Sequence, residues 1–522
     1  MSFRLTYATM FNPPEEMHGR FEAALASVSS RLGERHLLHI NGQDVAGSGL
    51  VPRATPIDLE RRLGEFAVAD ARHVDAAMAA AQAAYPAWRN TSVAERAALM
   101  HRVADVMESR VYELAAALAL EVGKNRMEAL GEAQECVDFF RHYADDFASH
   151  AGYEHELPDD PLPGVRSRNR SVMRPYGVWA IVAPFNFPMA LAAGPTAAAL
   201  VTGNSVVVKG STDTPWAGRL LADCIRDAGL PPGVFNYLSG SGQDVGEAML
   251  ADPRLAGLTF TGSVAVGLRL LRQMTGGAYP RPCIAEMGGK NPCIVTRHAN
   301  LEHAAAGIVR SAFGMGGQKC SALSRLYVDE AVADDLLARL VASTEALRIG
   351  DPCRRENWLG PVVNERAYAN YALFVAELRQ GGGTLLAGGR QLREGEFARG
   401  YFVEPTVVEV PHAHRLWRHE MFLPILTVHR VRDRDEAMRL ANDSEMGLTA
   451  GFYGAPGEVP WFQEHIEAGV TYANRPQGAT TGAWPGYQLF GGWKGSGSTG
   501  KAIASYYYLA QYLREQSRTV VD

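Results

Sequence analysis

The chain has 522 residues, of which 47% are hydrophobic and 21% are charged. These fractions are ordinary for folded globular proteins and the length allows several domains, so a disordered chain and a small disulfide-rich module are excluded. The 51 lysines and arginines against 57 acidic residues give a net charge of −6, and the basic residues form no stripe. We therefore expect no nucleic-acid partner.

The cysteines and the N-terminal residues bear on the cellular compartment. The six cysteines contain no C-x-x-C pair, which argues against a zinc ribbon and against a disulfide framework. The first twenty residues lack the apolar segment of a secretory signal. We expect a cytoplasmic protein.

Residues 175–208 contain no charged side chain, and such a stretch is long enough to suggest a membrane span. Pro184, Pro188 and Pro195 interrupt it, whereas a bilayer-spanning helix needs an unbroken backbone. The stretch is instead predicted to form a strand, a helix and a second strand, at 178–184, 189–200 and 205–210. A βαβ unit buried on both faces explains the missing charges, and we expect no membrane partner.

Strand-like and helical runs alternate along most of the chain. Residues 70–150 have helical spacing, a first α/β run continues to about residue 280, and a second begins near Arg281. This alternation predicts two α/β lobes built on parallel sheets. Two polar extended runs bracketed by prolines, within 157–177, predict a hairpin that leaves the domain body.

Three residues are candidates for covalent catalysis. Cys320 lies in a Gly-rich loop beside Lys319, where a cation and backbone N–H groups favour the thiolate, although a lone cysteine is often an inert buried side chain. Glu286 ends an apolar run, where burial would raise its pKa and suit a general base; a capping or ion-paired glutamate is the alternative. Asn186 is either an oxyanion donor or a turn former.

Two glycine-containing turns precede helices and could contact a phosphate. The segment SGSGQDVG at 239–246, which includes Gly242, is one residue longer than the dinucleotide fingerprint, so a plain tight turn is an equally good interpretation. Gly262 and Ser263 form the second turn, in which the serine either caps the helix or holds a phosphate.

A cluster of histidines raises the question of a metal site. His412, His414 and His419 precede Glu420, but their spacing matches no zinc pattern. We predict a polar segment with surface histidines and no metal.

Seven motifs, taken in order, are specific. PFNFP, VVVKGS, FTGS, EMGGKN, GQKCSA, E-x-F and FGGWK-x-SG occur in the order of the aldehyde dehydrogenase superfamily, which the chain resembles from about residue 40 to its end. The resemblance implies an α/β fold with a Rossmann-like cofactor domain, a second α/β catalytic domain and a small β oligomerisation domain. The implied domains are 1–157 with 180–285, 286–473, and 158–179 with 474–522. We expect a homo-oligomer, a dimer or larger.

The resemblance also implies oxidation of a small-molecule aldehyde to a carboxylate with NAD or NADP. Cys320 matches the nucleophile that forms a thiohemiacetal and then a thioester. Asn186 and the Cys320 backbone N–H match the oxyanion hole, and Glu286 matches the base that activates water for hydrolysis.

Several residues match cofactor contacts of the family: the adenosine ribose, phosphate and nicotinamide-ribose sites. These residues are Lys209, Ser263, Glu420 and Phe422, and the turn glycines Gly242 and Gly262 are further candidates for contact with the cofactor. Two positions depart from the pattern. Thr212 stands where NAD-preferring members usually carry glutamate, which makes NADP use plausible because the repulsion of a 2′-phosphate is gone. Leu423 replaces a glycine.

Within the superfamily, Phe185, GQKCSA-x-SR and the helix at 121–144 are most similar to the Δ1-pyrroline-5-carboxylate dehydrogenases, which oxidise L-glutamate γ-semialdehyde to glutamate in proline catabolism. The similarity implies that Phe187 and Phe490 sandwich the aliphatic chain, Ser321 holds the α-carboxylate and Lys319 the nascent carboxylate.

The loop after Asn474 is longer than in that group, so two pairs, Gly478-Ala479 and Gly482-Ala483, compete as the anchor of the amino-acid end. Another semialdehyde or an aliphatic or aromatic aldehyde is the alternative substrate. A CoA-acylating enzyme, a cysteine hydrolase and a silent relative are the other possibilities, and the presence of Cys320 and Glu286 disfavours the silent relative.

Overall fold

The computed structural model describes residues 4–7, 9–161 and 163–521. The strands are β1 (Glu34–His36), β2 (Leu38–Ile40), β3 (Gln43–Val45), β4 (Gly49–Thr55), β5 (Asp58–Val68), β6 (Glu154–Leu157), β7 (Ser167–Pro175), β8 (Val178–Val182), β9 (Ser205–Lys209), β10 (Phe235–Leu238), β11 (Leu255–Thr261), β12 (Cys283–Glu286), β13 (Asn291–Val295), β14 (Leu323–Asp329), β15 (Thr384–Ala387), β16 (Thr406–Glu409), β17 (Ile425–Val431), β18 (Met446–Gly447), β19 (Thr449–Tyr453), β20 (Val470–Ala473), β21 (Trp493–Lys494) and β22 (Leu513–Val521).

The α-helices are α1 (Glu15–Ser29), α2 (Ala71–Trp88), α3 (Val93–Ser109), α4 (Val111–Val122), α5 (Arg126–Ser149), α6 (Ala190–Val201), α7 (Pro215–Asp227), α8 (Glu247–Ala251), α9 (Val264–Thr275), α10 (Leu301–Phe313), α11 (Glu330–Glu345), α12 (Glu365–Gln380), α13 (Arg434–Asn442) and α14 (Val459–His465). Strands and helices alternate in both lobes, which confirms the predicted α/β class.

The first large sheet has the order β12-β11-β8-β9-β10-β2-β3. Its five strands from β12 to β10 are parallel, so their carboxyl ends meet at one edge. The chain order reverses beside β8, because β9 and β10 lie on one side of it and β11 and β12 on the other. Such a reversal opens a crevice at the carboxyl edge, where α/β proteins bind ligands.

The second large sheet has the order β15-β16-β17-β14-β13-β19-β20. Its core strands are also parallel, and α10 and α11 pack on it. The two sheets follow each other closely in the chain, because β12 ends at Glu286 and β13 begins at Asn291.

The uncharged stretch forms the βαβ unit that the sequence predicts. Strands β8 and β9 pair in parallel and α6 connects them, with its residues almost all buried. Within the described ranges, every helix is too short or too polar to cross a membrane.

A three-stranded antiparallel sheet contains β6, β7 and β22. Strand β7 lies in the segment 157–177, for which the sequence predicts a hairpin, and β22 adds the extended C-terminal segment. Its hairpin partner β6, at Glu154–Leu157, precedes the prolines that were expected to bracket it. Strand β6 begins at Glu154, ahead of the expected boundary at residue 158, because its backbone pairing with β7 and not the proline pattern decides where it starts.

A buried ion pair supports the start of α6. Lys124 and Glu132 are fully buried and pair with each other. The second oxygen of Glu132 accepts hydrogen bonds from the backbone N–H groups of Met189, at 2.9 Å, and Ala190, at 3.1 Å. One carboxylate thus balances a buried cation and satisfies free N–H groups at a helix N-terminus.

We expect Glu132→Ala to lower the free energy of unfolding by about 3–5 kcal/mol, because the substitution leaves Lys124 buried without a partner. Urea denaturation measures the change. The control is Glu65→Ala at the exposed Arg35–Glu65 pair, whose side chains lie 2.9 Å apart, and it should cost less than about 1 kcal/mol. Equal losses in the two variants would contradict this account.

Candidate active site

The carboxyl edge of the first sheet gathers most of the predicted site residues. Asn186 follows β8, Lys209 ends β9, Ser263 follows β11 and Glu286 ends β12. The parallel arrangement of these strands is the reason that residues a hundred positions apart reach one crevice.

Cys320 lies between a 3-10 turn, Gly314–Gly317, and β14. Burial, followed by the nearby carboxylates of Glu420 and Glu286, raises the pKa of its thiol to about 12, while the backbone N–H groups of Cys320 and Ser321 act in the opposite direction. The thiol therefore needs a base in order to become a nucleophile.

Lys319 does not supply the cation that its sequence position suggested for the thiolate. Its ammonium group pairs with the buried carboxylate of Glu128 at 2.8 Å. The other oxygen of Glu128 accepts a hydrogen bond from Asn125 at 3.1 Å. The charge of Lys319 is thus balanced by a carboxylate from α5.

Glu286 is 5% exposed, and its Oε2 has no hydrogen-bond partner among the described residues. Burial raises the pKa of this carboxyl well above its usual range, against a smaller lowering by the backbone N–H of Gly492. A buried carboxyl with one free oxygen can accept a proton from a reacting group, as expected for a general base.

Asn186 is 3% exposed, and its Nδ2 donates to the carbonyl oxygen of Gln318 at 3.1 Å. The bond ties the loop after β8 to the loop that carries Cys320, two residues further on. An amide nitrogen has two hydrogens, so the second remains for an oxyanion.

Two glycines allow the two lobes to approach each other here. A Cβ atom at Gly288 would collide with the carboxylate of Glu420, and one at Gly289 would collide with the carbonyl oxygen of Cys320. The motif EMGGKN therefore brings the backbone after Glu286 into contact with both elements.

Glu420 and Phe422 face the same region. Oε1 of Glu420 accepts a hydrogen bond from the Gly289 N–H at 2.9 Å, and burial raises the pKa of this carboxyl to about 7. Phe422 has a φ of 56° and packs edge-to-face on Phe185, with ring centroids 5.8 Å apart. Leu423, which replaces a glycine, is 5% exposed and packs into the core of the second lobe.

The remaining predicted cofactor residues lie along the crevice. Burial lowers the pKa of Lys209 to about 8, and its ammonium donates to the Gly210 carbonyl at 3.0 Å. Ser263 is exposed and caps α9 by accepting from the Val266 N–H at 3.4 Å. Thr212 is half-buried, and Gly242 is exposed at the turn after β10. A buried lysine, an exposed helix N-terminus and a carboxylate at one edge fit a dinucleotide.

Cys320 lines a pocket. The four predicted substrate residues, Phe187, Lys319, Ser321 and Phe490, all line it.

Sequence reasoning missed other lining residues, among them Tyr7, Glu135 and Arg310. The Tyr7 hydroxyl donates to Glu135 at 2.7 Å, and its ring meets that of Trp484 with centroids 5.1 Å apart. The sequence could have identified Trp484 as a pocket residue, because it lies in the lengthened loop. Nothing in the first residues of the chain indicated that they line this pocket.

The structure distinguishes the two Gly-Ala pairs of the long loop. Gly482 and Ala483 line the pocket. Gly478 and Ala479 are buried, and the Ala479 N–H donates to the Gly307 carbonyl on α10 at 3.1 Å. The second pair is therefore the one available to a substrate.

The histidines occupy structural positions. The ring of His412 lies 5.0 Å from that of Trp417, and His414 accepts a hydrogen bond from the Leu416 N–H at 3.2 Å. His419 packs against Phe374. Across the part of the chain that the structure describes, no group of three His, Cys, Asp or Glu side chains is placed to hold a metal ion.

Comparisons with known proteins identify the family of this chain. Residues 46–517 match the family model described as Aldehyde dehydrogenase family. A 1-pyrroline-5-carboxylate dehydrogenase of Geobacillus thermodenitrificans (strain NG80-2) is 36% identical over 508 residues, which are 96% of each chain. A crystal structure of 1-pyrroline-5-carboxylate dehydrogenase from Thermus with bound NAD is 33% identical, with a TM-score of 0.92 over 100% of this chain and 99% of that one.

A crystal structure of an E. coli NADP dependent enzyme is 30% identical, with a TM-score of 0.86 over 93% of this chain and 98% of that one. The motif-based resemblance and the implied fold are confirmed. The chain therefore belongs to the aldehyde dehydrogenase family and is an NAD(P)-dependent oxidoreductase.

Proposed function

We propose that the protein oxidises L-glutamate γ-semialdehyde to glutamate in proline catabolism. The observation that carries the proposal is one pocket that contains Cys320 together with Phe187, Phe490, Ser321 and the pair Gly482-Ala483. Its aromatic walls suit an aliphatic chain, and its hydroxyl and backbone groups suit an amino-acid end. The names of the relatives point to the same substrate.

Catalysis begins at Cys320. Glu286, whose pKa is raised by burial, accepts the thiol proton, and the thiolate adds to the aldehyde carbon to form a thiohemiacetal. Asn186 Nδ2 and the Cys320 backbone N–H donate to the oxygen that becomes negative.

Lys209, Ser263, Glu420 and Phe422, with Gly242 and Gly262 at the turns, would hold the nicotinamide cofactor, which would accept the hydride. The acyl group then remains on Cys320 as a thioester. Glu286 first passes the thiol proton to solvent and then takes a proton from water. The water oxygen adds to the thioester carbon, the C–S bond breaks, and the carboxylate leaves with Cys320 restored as a thiolate.

The pocket also supports a second candidate substrate class. Tyr7, Phe139, Trp358 and Trp484 add aromatic surface to the pocket, which suits another aliphatic or an aromatic aldehyde.

We further propose the domain division given above, a cytoplasmic location and a homo-oligomer. All six cysteines are free, as in a reducing compartment. The sheet β6-β7-β22 exposes Leu157, Val520 and Val521, which favours contact with a second copy.

Cys320→Ala is expected to abolish both aldehyde oxidation and ester hydrolysis, because both need the thiolate. Cofactor reduction at 340 nm and release of nitrophenol from its acetate ester measure the two activities. Cys283→Ala, at a half-buried thiol outside the pocket lining, is the control and should retain both. Retention of either activity in Cys320→Ala would remove Cys320 as the nucleophile.

Glu286→Gln should slow both the formation of the thioester and its hydrolysis, because Glu286 is the base for the thiol and for water. We expect the first turnover of reduced cofactor and the steady turnover each to be at least about 100-fold slower, since general-base catalysis contributes 10²–10⁴-fold. Deacylation by the unmodified enzyme should rise with pH through the raised pKa of Glu286, because the base acts deprotonated, and this rise should vanish in the variant. Rapid-mixing kinetics from pH 6 to 9 test both points, and steady turnover at the normal rate would exclude Glu286.

Thr212→Glu should shift cofactor preference toward NAD. A carboxylate at this half-buried position would repel the 2′-phosphate of NADP and bind the 2′-hydroxyl of NAD. We expect the ratio of kcat/KM for NADP over NAD to fall about 10- to 100-fold, which is 1.4–2.8 kcal/mol. Thr212→Ser is the control that keeps the hydroxyl, and an unchanged ratio in Thr212→Glu would place Thr212 outside the ribose site.

A further inference from the structure

Arg310 lies in the last turn of α10, and its side chain lines the pocket that contains Cys320. Its neighbours Val309 and Ser311 are both buried, so the helix holds this cation within the body of the protein. Sequence motifs did not single it out.

The Arg310 guanidinium is held firmly but keeps free donors. Its Nη1 donates to the carbonyl oxygen of Pro476 at 2.9 Å, and its central carbon lies 3.8 Å from the centre of the Phe11 ring. A guanidinium has five N–H groups, so this bond leaves most of them available. None of the described carboxylates pairs with it, and burial lowers its pKa.

The other charged groups that line the pocket are matched. Lys319 pairs with Glu128 at 2.8 Å, and Glu135 accepts the Tyr7 hydroxyl at 2.7 Å. Among the described lining residues, Arg310 is therefore the one cation whose charge no carboxylate balances. A half-buried cation in this state favours an anion beside it.

The position of Arg310 is coupled to the loop that carries Gly482 and Ala483. The Ala479 N–H donates to Gly307 at 3.1 Å, and the Thr480 N–H donates to the Ser311 hydroxyl at 3.1 Å. The hydroxyls of Ser311 and Thr481 lie 3.1 Å apart, and with the bond from Arg310 to Pro476 these contacts join α10 to this loop. The guanidinium and the Gly-Ala pair thus form two parts of one wall.

We propose that Arg310 binds a carboxylate at the end of the substrate remote from the aldehyde, and so selects anionic aldehydes over neutral ones. Guanidinium and carboxylate match in bidentate geometry, and the Phe11 ring restricts the guanidinium to one plane. This inference rests on the proposed function, since it concerns the substrate of that same site.

The test compares 5-oxopentanoate with pentanal, two five-carbon aldehydes that differ in one carboxylate, on the unmodified full chain and on Arg310→Met. We expect KM for 5-oxopentanoate to rise about 10- to 100-fold in the variant with little change in kcat, because charge-assisted hydrogen bonds are lost. Pentanal kinetics should not change, which also shows that the variant folds. Arg310→Lys should restore part of the preference, and Arg339→Met, at an exposed residue outside the pocket lining, should leave it intact.

A second readout needs no variant. Rising ionic strength should raise KM of the unmodified enzyme for 5-oxopentanoate and leave that for pentanal unchanged. An unchanged ratio of kcat/KM for 5-oxopentanoate over pentanal in Arg310→Met would overturn the inference, even if L-glutamate γ-semialdehyde is oxidised. If the enzyme does not oxidise L-glutamate γ-semialdehyde but Arg310→Met loses the preference for 5-oxopentanoate over pentanal, the proposed substrate is wrong and the role of Arg310 is supported.

Discussion

Four residues, 287–290, join the two large sheets, and the active site depends on how closely other elements can pack against them. Side chains at Gly288 and Gly289 would collide with the Glu420 carboxylate and with the Cys320 backbone. Because both positions are glycine, Glu286 at the end of β12, Cys320 and Glu420 converge on one short segment. Asn291 strengthens the junction, since its Nδ2 donates to the Cys320 carbonyl at 2.7 Å.

Charge balance is the second constraint on this enzyme. The pocket and the layer behind it contain several carboxyls from α5, and each has a specific partner: Lys124 for Glu132, Lys319 for Glu128 and Tyr7 for Glu135. Burying them is tolerable because their hydrogen bonds are made within the protein. Glu286, by contrast, has one oxygen without a hydrogen-bond partner among the described residues. Burial raises the pKa of this carboxyl, which suits the proposed role as a base for the thiol and for water.

Much of this arrangement could be predicted from the sequence, because local patterns encode it. Proline positions and missing charges identified the βαβ unit of β8, α6 and β9, and motif order identified Cys320, Glu286 and Asn186. Parallel strands then bring such residues to one edge as a matter of geometry. Their roles in catalysis stay predictions.

Other features depend on contacts between distant segments, which no local pattern encodes. The insertion of Tyr7 between α5 and Trp484 rests on Gly131, where a Cβ would meet the tyrosine ring at 2.8 Å. The choice between the two Gly-Ala pairs depends on the packing of the loop against α10. For Arg310 the sequence contained one weak indication of a special role, since it places a charged residue between two buried positions of an apolar helix.

The most direct test of the junction is the activity of Gly289→Ala beside Gly457→Ala, an exposed glycine with open space around it. Aldehyde oxidation and the midpoint of thermal unfolding are measured for both. We expect Gly289→Ala to lose at least about 100-fold in kcat/KM, since small displacements of a reacting group cost about that much. Its unfolding midpoint should fall by only a few degrees, and Gly457→Ala should match the unmodified enzyme. Normal oxidation by Gly289→Ala would contradict the central role given to this junction.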